Sequence, residues 1–153
     1  MIPAAFVLSV MAQIPAECSL YVGKGSCPAE TLGGYEKARD AGEIAHAIGD
    51  VASDSREAIE MAVYAAYESS NRLDALGDMG RSHGAWQIPV VLQGARAQLE
   101  YWIRLRDNSL QVCSERPRAE RLAALASGSC AKGIRKVRLR DSVVEKLQRE
   151  NPS

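Results

Sequence analysis

Apolar positions in this chain recur every three or four residues, and no run shows the clean alternation of a β-strand. The first apolar stretch covers residues 2–16 and is interrupted by Pro3, Ser9, Gln13 and Pro15. It is shorter than the ~20 apolar residues an ordinary spanning helix needs, so an opening helix packed on the domain is expected. It lacks the basic lead-in of a secretory leader, although Val10-Met11-Ala12 has the form of a cleavage site. A retained leader or membrane-proximal segment is the alternative. Residues 17–35 carry Gly23, Gly25, Pro28, Gly33 and Gly34 and read as a loop-rich connector.

From residue 36 to about 52, Ile44, Ile48 and Val51 mark an amphipathic helix. The next helix has the clearest start. Asp54 is placed to cap it, with Glu57 three positions on in a capping-box-like arrangement, and Ile59, Ala62, Val63 and Ala66 form its apolar stripe. It ends in Tyr67-Glu68-Ser69-Ser70, with Asn71 suited to leaving a helix. Gly77, Gly80 and Gly84 make residues 73–89 an irregular loop or short hairpin. Pro89 is placed to open another helix, with Leu92, Ala95, Leu99, Trp102 and Ile103 on its apolar face. A short helix after Pro117 uses Leu122 and Leu125 and stops at Gly128. A last helix over residues 134–149 turns Val137, Val143 and Leu147 inward. The expected architecture is mainly α, with residues 1–35 an N-terminal helix and connector packed on a single domain of residues 36–153.

A chain of 153 residues is long enough for one real core. Basic and acidic residues balance at 19 each, so net charge selects no partner. Lys132, Arg135, Lys136, Arg138 and Arg140 nevertheless form a local basic cluster, read first as a solvated helix face. No aromatic residue interleaves it, so nucleic-acid binding is not expected. Cys18, Cys27, Cys113 and Cys130 permit three complete pairings. They fall into two local couples, which favours Cys18–Cys27 and Cys113–Cys130 and an oxidising, extracytoplasmic setting. Four buried thiols are the alternative. None has CxxC spacing, and His46 and His83 lie far from them in sequence, so no metal or other cofactor is expected.

Chemistry concentrates in Tyr67-Glu68-Ser69-Ser70 followed by Gly77-Asp78-Met79-Gly80-Arg81-Ser82-His83-Gly84-Ala85-Trp86-Gln87-Ile88. This stretch resembles the lysozyme-like superfamily, especially goose-type lysozymes and soluble lytic transglycosylases. In those families a Glu-Ser pair closes a buried helix, and a glycine-containing loop leads into a Gly-Leu-Met-Gln-like turn. Gly84-Ala85-Trp86-Gln87 matches that turn, and Gly77-Asp78-x-Gly80 is similar to a goose-type motif.

The resemblance implies cleavage of the β-1,4 bond between N-acetylmuramic acid and N-acetylglucosamine, with Glu68 as general acid. Glycosidic cleavage needs a proton on the leaving oxygen, and a glutamate desolvated between core and cleft is suited to hold one. Tyr67, Ala66 and Trp86 are the expected apolar walls. Asp78 is the candidate second carboxylate, positioning water, or else a turn-forming aspartate. Ser69, Ser82, Gln87 and Ser127 are candidate sugar-binding groups, and Trp86 is either a sugar platform or simple core. His83 reads as a loop residue rather than a base.

The sequence departs from the transglycosylase pattern at Ala124-Leu125-Ala126-Ser127-Gly128, where an Ala-Tyr-Asn-Ala-Gly segment is usual. Losing that Tyr-Asn pair tilts the expectation toward hydrolysis, with Ser127 or Ser129 as modest substitutes. The expected partner is a peptidoglycan glycan strand, without stable membrane insertion. The alternatives are a lytic transglycosylase giving 1,6-anhydro products, or a non-catalytic glycan-binding structural module of a phage virion or secretion machine, assembled into a larger virion or envelope complex.

Overall fold

A computed structural model describes residues 1–15 and 34–152, with side chains from residue 39 onward in the second stretch. Cys18, Cys27 and most of the expected connector lie outside the described residues. The chain is mainly helical. Its helices are α1 (Ala4–Gln13), α2 (Gly34–Val51), α3 (Ser55–Ser69), α4 (Ala95–Val112), a short α5 (Ala123–Ser127) and α6 (Ile134–Glu150). An antiparallel hairpin of β1 (Leu76–Gly77) and β2 (Ser82–His83) separates α3 from α4, pairing Leu76 with His83 and Gly77 with Ser82.

Helix α3 forms the centre of the domain, touching α1, α2 and α6. Its start follows from local chemistry. Asp54 accepts the Glu57 N–H at 2.8 Å, and Glu57 reaches back to the Ser53 N–H at 2.7 Å, one residue earlier than the usual capping box. Of the eight residues from Ala58 to Ala65 all but Glu60 are buried; Ile59, Met61, Ala62, Val63 and Ala65 are fully enclosed. The small alanines let neighbouring helices approach closely. At the other end Ser70 and Asn71 both adopt left-handed backbone, φ 54° and 60°, and their N–H groups return to Ala66 and Ala65.

Helix α1 lies on α2 and α3, burying Val7 and Val10. The Ile2 N–H donates to the Gly49 carbonyl at 3.0 Å, and a Cβ on Gly49 would stand 2.3 Å from the Ile2 oxygen. Only glycine permits that approach.

The start of α4 departs from the expectation. Pro89 does not open it, and the helix begins six residues later, at Ala95, after Gly94 with φ 83°. Two distant side chains explain the delay. Glu43 on α2 caps the Ala95 N–H at 3.0 Å, and the buried Gln98 amide holds the carbonyls of Leu92 and Leu73 at 3.0 Å each. These contacts fix residues 89–94 as a non-helical strap.

Candidate active site

Glu68 occupies the last turn of α3, next to the sharp exit that leads into the hairpin. Its side chain is 20% exposed. Its surroundings differ from the apolar pocket expected of Tyr67, Ala66 and Trp86. Oε1 contacts Nη1 of Arg140 directly and lies 3.6 Å from Nζ of Lys136, both on α6. Arg140 is only 1% exposed, with its guanidinium 4.9 Å from the Tyr64 ring and 5.7 Å from the Tyr67 ring. Both tyrosine rings thus lie against the counter-ion of Glu68. Two cations of α6 thus face the carboxyl expected to act as the general acid.

The hairpin segment is held together by its own motif residues. Trp86 is in the core, and its indole N–H donates to the Met61 carbonyl at 2.9 Å, fastening the loop to α3. Gln87 has φ 51° and donates to the Gly84 carbonyl at 2.9 Å. A Cβ on Gly77 would stand 1.9 Å from Oε1 of Gln87, so the two motif ends lock together only with glycine at 77. Gly84, φ 79°, lies against Gln98, whose Oε1 accepts the Ala85 N–H at 2.9 Å.

Asp78 lies at the exposed hairpin tip with φ 49° and accepts a hydrogen bond from the Ser82 hydroxyl at 2.5 Å. That bond closes the tip as a turn-forming aspartate would. Ser69 spends its hydroxyl on the helix exit, donating to the Ala65 carbonyl and accepting from the Arg72 N–H, both at 3.0 Å. Ser127 lies within 2.8 Å, 2.9 Å and 3.0 Å of the carbonyls of Ala123, Ser129 and Lys132. It ties down the loop before α6, which the Cys113–Cys130 disulfide also anchors to the end of α4. The structure thus brings Asp78 to Ser82 and Glu68 to α6, and gives Ser69, Gln87 and Ser127 backbone partners.

Two hollows flank this region. One of about 550 Å³ runs beside the hairpin, lined by Asp40, Glu43, Leu73, Leu76, His83 and Gln98 among others. The second, about 310 Å³, lies between α3 and α6 and includes Glu60, Tyr64, Leu110, Leu122, Val137 and Val144. Neither is lined by Glu68 or Asp78. Burial pushes the Glu60 carboxyl up to about 7, against the pull of Arg106 and reinforced by Glu57, Asp141 and Asp107. Arg56 and Arg106 stand 3.9 Å and 3.8 Å from it.

Arg140 and Lys136, expected on a solvated basic face, instead meet Glu68, and Glu60 was not expected to be buried. Arg140 had a signal: Val137, Arg140, Val144 and Leu147 form one helical stripe, so the arginine sits in an inward register. Glu60 shares a face with Arg56 and Tyr64, a weaker clue. Among the described residues, no group of three His, Cys, Asp or Glu side chains is placed to hold a metal ion. None of their helices is long and apolar enough to cross a membrane. No family model, curated protein or solved structure matches the chain.

Proposed function

We propose that the chain is a lysozyme-like glycosidase that cleaves the β-1,4 bond between N-acetylmuramic acid and N-acetylglucosamine, with Glu68 as general acid. The observation that carries this reading is the order helix, Glu68, hairpin, with the hairpin fastened back to the same helix through Trp86 and Met61. That fastening keeps the glycine-containing loop on the helix that bears Glu68. Glu68 then protonates the leaving oxygen, and water attacks the sugar, positioned by a second group for which Asp78 is the candidate. In the transglycosylase variant the muramic acid 6-hydroxyl attacks instead and Glu68 recovers the proton. The Cys113–Cys130 disulfide is compatible with an extracytoplasmic setting or a virion.

A second reading has its own support. The contact between Glu68 and the buried Arg140 is what a structural ion pair looks like, and it favours a glycan-binding module without catalysis. A cell-wall clearing assay with the parent and Glu68→Gln separates the two. The glycosidase reading expects clearing by the parent and its loss in the variant, with both proteins folded by circular dichroism. Product masses then separate hydrolysis from transglycosylation, because an anhydro product is lighter by one water. Equal clearing by parent and variant would remove Glu68 from the mechanism, and no clearing by a folded parent would favour the binding module.

A further inference from the structure

The basic cluster at the start of α6 is not simply a solvated face, because the fold carries part of it to Glu68. The loop ahead of α6 is held at two points, by the Cys113–Cys130 disulfide and by Ser127 against the Lys132 carbonyl. One turn further on, Lys136 reaches the carboxyl. Its Nζ stands 3.6 Å from Oε1 of Glu68, beyond hydrogen-bond reach, and its side chain is 40% exposed. That oxygen already contacts Arg140. An ammonium offers three donors, and among the described residues Nζ of Lys136 has no hydrogen-bond acceptor. A half-exposed cation with spare donors, fixed at the edge of a candidate catalytic carboxyl, is a receptor for an anionic group on the substrate.

We infer that Lys136 recognises a carboxylate carried by muramic acid, on its lactyl group or its peptide stem. The inference rests on the reading that this chain acts on peptidoglycan. N-acetylglucosamine polymers lack that carboxylate, so Lys136 sets a preference for muramic-acid-containing strands. Recognition by Lys136 then lies 3.6 Å from the carboxyl proposed to transfer the proton.

The test uses soluble oligomers of equal length: neutral chitin, alternating muramic acid with free lactyl carboxylates, and the same strand bearing peptide stems. Binding by calorimetry and cleavage by kcat/KM are both read for the full chain. The parent should prefer a carboxylate-bearing oligomer by about 3- to 5-fold, the range of a partly exposed ion pair, and added salt should weaken that preference. The two carboxylate-bearing probes show whether the lactyl group or the stem is bound. Lys136→Met should bring the ratio close to one, Lys136→Arg should keep most of it, and Lys146→Met, remote beside Glu150, should leave it intact. An unchanged ratio in Lys136→Met, or no preference in the parent, overturns the inference. Loss of binding preference in Lys136→Met with no cleavage by the parent supports it while sinking the enzymatic reading. Normal cleavage with an unchanged ratio sinks the inference alone.

Discussion

Replacing Glu60 with glutamine should make the protein more stable above neutral pH and barely alter it near pH 5. Glu60 is 20% exposed, and burial lifts its carboxyl from 4.5 to about 7 in the folded state. The sign follows from which state holds the proton more tightly. Below about 4.5 both states are protonated and the shift has no effect on stability. As pH rises toward 7 the unfolded chain releases its proton first, so stability falls, and above about 7 the full cost is present. At about 1.4 kcal/mol per pH unit, the displacement from 4.5 to about 7 corresponds to about 3 kcal/mol.

Glutamine keeps the shape and removes the charge. It does not orphan Arg106, whose Nη1 stays 2.7 Å from Glu57 while Nη2 stays 2.9 Å from Asp107. Urea unfolding of both proteins at pH 5 and pH 8 reads the difference directly. The other titrating groups are common to both proteins and largely cancel, including Glu57, pulled down by Ser53 and Arg106 against its burial. The stability gap should widen in favour of Glu60→Gln by about 2–3 kcal/mol between the two pH values. Parallel pH profiles would refute the assignment of Glu60 as a buried carboxyl that costs stability when ionised.

Two further predictions concern the supports of the site. The Cys113→Ser/Cys130→Ser double variant opens a closure of 17 residues and should lose about 3 kcal/mol; a Tm equal to the parent's would show that the crosslink adds nothing. Gly84→Ala combines φ 79° with a Cβ 2.2 Å from Oε1 of Gln98, so it should cost about 1–3 kcal/mol in urea unfolding. A neutral outcome would mean that the hairpin is not fixed against Gln98.

What was legible in the sequence was what local chemistry decides. Asp54 and Glu57 lie three residues apart, and both caps they form involve immediate neighbours. Gly128 stops α5 in left-handed backbone, as its position after Leu125 suggests. What was not legible depends on partners distant in the chain. Pro89 looked like a helix start, but the cap comes from Glu43, 52 residues away from Ala95. Trp86 admitted both a core and a sugar-facing role, and only the Met61 carbonyl, 25 residues earlier, accounts for its buried indole N–H. The cations beside Glu68 come from α6, 72 residues from Glu68 in the case of Arg140. A motif can mark such a carboxyl in sequence but cannot say what charge faces it.

The most direct test of the central claim is single-turnover cleavage of purified peptidoglycan strands by the parent and by Glu68→Gln. Released fragments are weighed by mass spectrometry, and folding is confirmed for both proteins. Loss of a general acid lowers such rates by about 100-fold or more. The account predicts muramic-acid-ended fragments from the parent and at least that loss in the variant. Fragments released at equal rates by the two proteins would contradict it.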